Sequence, residues 1–328
     1  MTGLSDSFQR PINYLRISVT DRCNLRCVYC VPPEGFCLLS HQDILTYEEI
    51  YTIVKAAAEL GISKVRITGG EPLVRLRLSE LIRMISRIKT VDDISLSTNG
   101  LLLTEYAAEL KSAGLRRVNV SLDTLKQDKF ELITRCNINL DDVLEGIEVA
   151  RAVGLNPVKI NMVVISGVND DELLDFASKS INEGWHVRFI EFMPVTAQDA
   201  AASPFVPVTE MRKRLEQLGK LEPCLPDVGN GPARYFRFSQ AKGTIGFITP
   251  VSEHFCFQCN RLRLTADGKF RLCLLSEEEI DLKQSLRNGV SSAELEQLIE
   301  AAAFQKPLRH HMADGKIPKD RPFCQVGG

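Results

Sequence analysis

Short runs rich in β-branched residues alternate, over the first 195 residues, with segments whose apolar positions recur at helical spacing. This alternation is typical of right-handed βαβ units with a parallel sheet. The predicted strands are Tyr14–Val19, Lys64–Thr68, Ile94–Thr98, Arg117–Leu122, Pro157–Ile165 and His186–Phe192. The predicted helices between them are Thr46–Leu60, Leu78–Ile88, Thr104–Ala113, Asp141–Val153 and Asp170–Asn182.

The number of these units sets the expected architecture. A closed eight-fold barrel typically takes about 250 residues. Six units are too few to close one, so we predict an α/β fold with an incomplete, open-sided (βα)6 TIM-like barrel over residues 1–195. After a small-residue linker at 195–207, short strands near Arg234–Phe238 and Thr244–Thr249 break the alternation. The sequence therefore predicts a smaller C-terminal α+β domain over residues 196–328 that covers the open side.

The overall composition is that of a soluble globular protein. Of the 328 residues, 44% are hydrophobic and 25% are charged, and the net charge is −2. This balance favours neither nucleic acid nor a membrane surface as a partner. The first residues lack the apolar core of a secretory signal, and no apolar run approaches the length of a membrane span. We therefore expect a cytoplasmic protein.

Two groups of three cysteines change this picture. Cys23, Cys27 and Cys30 place three thiols within eight residues, and no fourth cysteine is in register. The second group consists of Cys256 and Cys259, which are separated by two residues, and Cys273, which follows fourteen residues after Cys259. We call these groups the first trio and the second trio. An iron–sulfur cube held by three cysteines leaves one iron open, so the spacing indicates two sites for chemistry.

Other interpretations of the six cysteines remain open at this point. Cys-x-x-Cys is also the usual zinc half-site, and free cysteine is common in protein cores. Against zinc, six ligands do not divide into two tetrahedral sites. His254 would complete the second trio, but no histidine lies near the first. The remaining four cysteines are interpreted as structural or solvated.

Polar residues follow several of the predicted strands. These residues are Gly69–Pro72, Ser97–Gly100, Ser121–Asp123 and Glu191–Pro194. In barrels of this type the active site forms at the carboxyl ends of the strands. The sequence therefore predicts that these segments and the first trio face one mouth.

The first trio, with Tyr29 before its last cysteine, and the loop Gly69-Gly70-Glu71-Pro72 resemble the signatures of the radical S-adenosylmethionine (SAM) superfamily. The resemblance implies a barrel of the radical SAM type. It also implies a 4Fe-4S cluster on the first trio whose open iron binds SAM. The residues implied to bind SAM are Tyr29, Gly70, Ser121 and Met193.

The second trio, the segment Cys259–Arg263 and the terminal Gly-Gly resemble the GTP 3',8-cyclase family of molybdenum cofactor biosynthesis. The resemblance runs from Tyr14 to Gly328 and implies a second 4Fe-4S cluster that binds GTP, across one cavity from the first. The implied reaction removes a hydrogen from the ribose C3' and joins C3' to guanine C8. The residues implied to bind GTP are Arg16, Arg66, Ser97, Lys159, Arg261 and Arg263.

The same resemblance implies that Gly327 and Gly328 assist catalysis. It further implies a homodimer, an external one-electron donor, and a separate cyclic pyranopterin monophosphate synthase that takes the product. Arginine suits the triphosphate, because its planar fork matches phosphate oxygens. The chain has no G-x-x-x-x-G-K-[ST] loop, which is consistent with chemistry on the ribose and base.

Two other functions compete with this one. The chain could be a peptide-modifying radical SAM maturase with an auxiliary cluster, which would ignore GTP. It could also be a zinc-stabilised binding module without catalysis, which would be colourless where an iron–sulfur protein is brown.

Overall fold

A computed structural model describes residues 3–32, 34–193, 205–225, 228–314 and 321–327. Most of the linker predicted at 195–207, and Gly328 at the terminus, lie outside the described residues. The chain forms two compact units. The first unit comprises Met1–Thr98, Glu105–Arg117 and Cys256–Gly328, and the second comprises Asn99–Thr104 and Val118–Phe255. No helix within the described ranges is both long and apolar enough to cross a membrane.

Strands and helices follow one another in chain order. The strands are β1 Tyr14–Ser18, β2 Lys64–Thr68, β3 Asp93–Thr98, β4 Arg117–Ser121, β5 Lys159–Val164, β6 His186–Glu191, β7 Leu221–Cys224, β8 Arg234–Phe238, β9 Thr244–Ile248, β10 Arg261–Leu264, β11 Lys269–Arg271 and β12 Glu279–Asp281. The helices are α1 Tyr47–Glu59, α2 Leu78–Ser86, α3 Leu103–Ala113, α4 Gln127–Thr134, α5 Leu140–Ala152, α6 Leu173–Glu183, α7 Val208–Leu215, α8 Leu282–Arg287, α9 Ser292–Phe304 and α10 Phe323–Val326.

The strands of the first unit follow the order β12-β11-β10-β1-β2-β3. Strands β10, β1, β2 and β3 run parallel, and β11 and β12 are antiparallel additions at one edge. Leu15 and Ile17 of β1 have no exposed surface, as expected for a strand covered on that face. Helix α1 begins with a capping box formed by Thr46 and Glu49, which satisfies its first amide groups.

The second unit repeats this plan with strands β4 to β9. Its strand order is β4-β5-β6-β9-β8-β7, in which β4, β5, β6 and β9 run parallel. Strands β8 and β7 are antiparallel additions. The rings of Phe189, Phe236 and Phe247 pack with centroid separations of 5.6 and 6.0 Å in the core of this unit.

The pattern of apolar positions predicted these elements well. All six predicted strands are confirmed to within two residues at each end. Helix α4 was missed, because its eight residues carry a weak apolar pattern between two polar loops. The domain boundary predicted at residues 195/196 divides the chain by position in the sequence, and it stays a prediction. The compact units instead group residues by contact, because β10 pairs with β1 and β9 pairs with β6.

Candidate active site

The first trio lies in the loop between β1 and α1. The amide groups of Cys30 and Val31 donate to the Cys27 carbonyl at 2.9 and 3.0 Å, which closes a tight turn. The amide of Leu25 donates to the Cys23 sulfur at 3.3 Å. All three thiols are half-buried. The backbone of this loop is therefore held by its own hydrogen bonds.

Burial raises the pKa of two of these thiols, Cys23 and Cys30. It raises the pKa of Cys23 to about 12, and the Glu71 carboxylate and Cys30 act in the same direction. A hydrogen bond with the Cys324 thiol, together with burial, raises the pKa of Cys30 well above its usual value. Cys23 and Cys30 are therefore expected to be neutral thiols in the metal-free chain. Bound iron would favour the thiolates, because its positive charge stabilises them.

The glycine loop after β2 packs directly on the first cysteine loop. The amides of Gly70 and Glu71 donate to the carbonyls of Thr20 and Arg22 at 2.7 and 2.8 Å. A Cβ atom at Gly70 would lie 2.3 Å from the Arg22 carbonyl oxygen, and one at Gly69 would lie 2.7 Å from that of Thr20. Only glycine permits this approach. The two signature segments therefore form one structure.

The Glu71 side chain also holds the glycine loop in place. Its carboxylate is 1% exposed and accepts hydrogen bonds from the Leu73 amide at 3.0 Å and the Thr98 hydroxyl at 2.8 Å. Two donors satisfy this buried carboxylate. Glu71 therefore joins the glycine loop to the end of β3.

Two buried cations hold the second trio. Arg10 donates to the Cys256 carbonyl at 2.6 Å. Lys306 donates to the carbonyl of Arg261 at 2.9 Å and to that of Leu272, which precedes Cys273. A turn hydrogen bond of 3.1 Å links the Cys259 amide to the Cys256 carbonyl. Arg10 therefore holds the trio at Cys256, and Lys306 holds the backbone close to Cys259 and Cys273.

Neighbouring cations change the acidity of Cys259. Burial opposes ionisation, but the charges of Arg261 and Lys306 outweigh it and lower the pKa of Cys259 to about 6. The Arg261 guanidinium lies 3.8 Å from the Cys259 sulfur. Cys259 is therefore a thiolate near neutral pH, which is the form that binds metal.

A row of arginines crosses the sheet of the first unit between these two loops. Paired residues on neighbouring strands point to the same face. The paired residues of this row are Arg271, Arg263, Arg16, Arg66 and Ser95. Arg261 and Arg263 are two residues apart on β10, so their side chains point to that same face. Ser97 lies two residues beyond Ser95 on β3 and faces the same way.

Burial and like charge act together on this row. They lower the pKa of Arg16 well below its usual value, with burial as the larger cause and Arg263 and Arg66 next. Burial and Arg261 lower the pKa of Arg263 to about 10. The Arg66 guanidinium also donates to the Ser95 hydroxyl at 3.2 Å and lies 5.6 Å from the Tyr14 ring centroid. Such a concentration of buried positive charge is the electrostatic signature of a polyanion site.

The direction of the strands places the two trios at opposite ends of the strands that carry this row. The first trio follows the carboxyl end of β1, whereas Cys259 precedes the amino end of the parallel strand β10. Five residues of β-strand span about 16 Å. The arginine row therefore lies on the stretch of sheet that separates the trios.

The C-terminal tail reaches the same face. The Arg263 guanidinium donates to the Gly327 carbonyl at 2.5 Å. Gly327 has a φ of +68°, and a Cβ atom there would lie 2.7 Å from the Thr68 side chain. Glycine is required at this position on both counts. Gly328 lies outside the described residues.

Three predicted site residues belong to the second unit. Ser121 is the exposed last residue of β4, and Met193 lies two residues beyond β6. Lys159 begins β5, is 4% exposed, and donates to the Val228 carbonyl at 2.7 Å and the Tyr235 hydroxyl at 3.3 Å. The roles predicted for these residues stay predictions.

Sequence reasoning missed several charged residues that the fold buries. Arg188 of β6 is 3% exposed and donates to the Asn119 side chain in the second unit. The signal that could have identified Arg188 is a charged residue within an apolar strand, a feature that it shares with Arg16 and Arg66. Lys306 and Arg321 gave no such signal because they lie outside the strands. Cys324, interpreted as structural, contacts Cys30.

Neither trio is arranged for a single ion. Within the described ranges, no group of three or more His, Cys, Asp and Glu side chains converges to hold one metal ion. Zinc would need sulfurs at about 2.3 Å from a common centre. In a 4Fe-4S cube each thiolate binds a different iron, so wider spacing is compatible with a cube.

Comparisons with known proteins agree with this geometry. A family model described as the radical SAM superfamily matches residues 17–179, and one described as molybdenum cofactor synthesis C matches residues 185–312. The GTP 3',8-cyclase of Pelotomaculum thermopropionicum is 53% identical over 327 residues, covering 99% of this chain and 100% of the relative. This chain belongs to the GTP 3',8-cyclase family. The family member of Moorella thermoacetica is 50% identical, with the same coverage of both chains.

Solved structures extend the comparison of folds. Streptococcus suis SuiB bound to S-adenosylmethionine has a TM-score of 0.64 at 14% identity, covering 91% of this chain and 67% of its own. SuiB bound to its precursor peptide SuiA gives 0.65 at 13%, covering 97% and 70%. The predicted radical SAM fold class is confirmed. At this identity SuiB supports the fold alone, whereas the cyclases are half identical over their whole length.

Proposed function

We propose that this chain is a GTP 3',8-cyclase, which converts GTP to 3',8-cyclo-7,8-dihydro-GTP early in molybdenum cofactor biosynthesis. Half-identity to full-length cyclases supports the reaction. The structural observation that carries the proposal is the arginine row, since a GTP enzyme needs a polyanion site beside its radical source. The C3' hydrogen leaves as part of 5'-deoxyadenosine, and an external electron with a proton completes the ring-closed product.

The two trios have the donor chemistry that iron–sulfur clusters need. We assign one 4Fe-4S cluster to Cys23, Cys27 and Cys30, and a second to Cys256, Cys259 and Cys273. When bound, the first cluster with SAM supplies a 5'-deoxyadenosyl radical. Gly70 brings the glycine loop against the first cysteine loop, and Tyr29, Ser121 and Met193 complete the proposed SAM contacts. Arg10 holds the second trio through the Cys256 carbonyl, and Lys306 holds the neighbouring carbonyls of Arg261 and Leu272.

The substrate would lie along the arginine row. A nucleoside triphosphate carries about four negative charges, and each charge-assisted hydrogen bond contributes about 1.5–3 kcal/mol. Arg16, Arg66 and Arg263 present guanidinium groups to one face without rearrangement. Lys159, Ser97 and Arg261 complete the proposed GTP contacts.

The decisive experiment is anaerobic reconstitution with iron and sulfide, followed by incubation with SAM, dithionite and GTP. We expect brown protein and 5'-deoxyadenosine formation that depends on GTP. Colourless protein that binds zinc instead would support the binding module. SAM cleavage that is indifferent to GTP would favour a peptide-modifying maturase.

Replacing Arg16 with glutamine is expected to weaken GTP binding about 10- to 100-fold, because it removes one charge-assisted contact while keeping a hydrogen-bonding side chain. Equilibrium dialysis with labelled GTP measures this. The matched control is Arg287→Gln, since Arg287 pairs with Glu49 on the surface at 2.7 Å. Equal weakening in both variants would contradict the assignment of Arg16.

Replacing Cys259 with serine is expected to separate the two halves of the reaction. The first trio is untouched, so some SAM cleavage should continue without nucleotide product. Quantifying 5'-deoxyadenosine and cyclised nucleotide in the same samples tests this. Wild-type product yield in this variant would refute a substrate-binding cluster on the second trio.

The partners follow from the chemistry. The reaction consumes electrons one at a time, so we propose an external one-electron donor. We also propose a homodimer and transfer of the product to a separate cyclic pyranopterin monophosphate synthase.

A further inference from the structure

The last described segment, Arg321–Gly327, is held at both ends within the first unit. At its start, Arg321 contacts Asp267 at 2.8 and 3.1 Å. It also contacts Glu279 at 2.9 and 3.0 Å. At its end, Gly327 accepts the hydrogen bond from Arg263. The segment therefore joins the hairpin of β10 and β11 to the face that carries the arginine row.

The middle of the segment lies on the first cysteine loop. The Cys324 thiol contacts that of Cys30, and the Gln325 side chain donates to the Cys37 carbonyl at 3.3 Å. Helix α10 has only four residues. A helix this short has no stability of its own, so its position depends on the contacts at either end.

Arg321 makes the strongest of these contacts. Its side chain is 14% exposed, and those of Asp267 and Glu279 are 10% and 16% exposed. Its paired contacts with Asp267 use the fork of the guanidinium, which fixes direction as well as distance. Arg271 shares Glu279 at 2.9 Å, so the carboxylate itself is oriented. We call Arg321, Asp267 and Glu279 the tail clamp.

We propose that Arg321 is a positioning residue for substrate binding, which acts by placing the Gly327 carbonyl against Arg263. This rests on the proposed function, in which Arg263 contacts GTP. Arg263 lies beside like charges, so its side chain needs a fixed acceptor to hold one direction. The Gly327 carbonyl is that acceptor, and the tail clamp determines where it lies. Loosening the clamp therefore releases Arg263 and weakens GTP binding.

The test compares Arg321→Gln, Arg321→Lys and the control Arg287→Gln, which removes an arginine–carboxylate pair far from the tail in sequence. Hydrogen exchange of the terminal peptide is measured on reconstituted protein without GTP. We expect exchange to rise about ten-fold in Arg321→Gln, less in Arg321→Lys, and not in the control. Lysine retains the charge but not the fork, so it should rescue in part.

Kinetics provide the second readout. We expect the KM for GTP to rise about ten-fold in Arg321→Gln with kcat within about two-fold of wild type, since ground-state contacts alone are weakened. Unchanged terminal exchange in Arg321→Gln, or an equal rise of the KM for GTP in Arg287→Gln, would overturn the proposal. Asp267→Asn, which weakens the clamp from its other side, should reproduce the exchange result. Absence of GTP-dependent turnover in wild type would reject the proposed function, and the exchange data would still decide whether Arg321 anchors the tail.

Discussion

Replacing Cys27 with serine is expected to abolish GTP-dependent 5'-deoxyadenosine formation, with a loss of more than about 100-fold. The turn around Cys27 is closed by its carbonyl, not its thiol, so the loop should fold normally. Serine cannot supply a thiolate, and the first cluster would lose one of three protein ligands. Iron content and 5'-deoxyadenosine yield, measured on the same anaerobic preparation, check this.

Cys136→Ser is the matched control, because Cys136 is a half-buried cysteine outside both trios that forms no disulfide. It should retain wild-type iron content and yield. If Cys27→Ser kept its full iron and still cleaved SAM in the presence of GTP, the first trio would not be the radical source.

Replacing Gly70 with alanine is expected to abolish SAM binding and to destabilise the protein by about 1–3 kcal/mol. The added Cβ would lie 2.3 Å from the Arg22 carbonyl, which is backbone and cannot rotate away. The glycine loop and the cysteine loop would be forced apart. SAM affinity by equilibrium dialysis and thermal unfolding of the metal-free chain measure the two effects separately.

The control is Gly231→Ala, where an added Cβ meets nothing within 4 Å. That variant should bind SAM normally and unfold at the wild-type temperature or slightly above, since alanine restricts the unfolded chain. Normal SAM binding by Gly70→Ala would mean that the glycine loop is not part of the SAM site.

The sequence predicted the strands because they depend on local patterns. Alternation located β1 and β2, and cysteine spacing picked out the two trios before any fold was known. Both signals are local, so no long-range information was needed for them. Arg16 and Arg66 were assigned to the GTP site only through the resemblance to the cyclase family, since a single arginine is more often a surface charge.

What the sequence could not predict depends on register. Arg16 faces Arg263 only because β10 pairs in parallel with β1, across more than 240 residues of chain. The contact between Cys324 and Cys30 and the tail clamp are similarly non-local. Helix α4 was missed for a different reason, since it has few apolar positions and gains its stability from packing.

Side-by-side guanidinium groups on one face of a sheet oppose folding unless an anion is present. The aliphatic side chains on the other face, such as Leu15 and Ile17, must outweigh that repulsion in the ligand-free chain. Thermal stability of the ligand-free chain and affinity for a polyphosphate therefore make opposite demands on the same strands. A substitution that relieved the repulsion would raise the stability of the protein and lower its affinity for the polyphosphate.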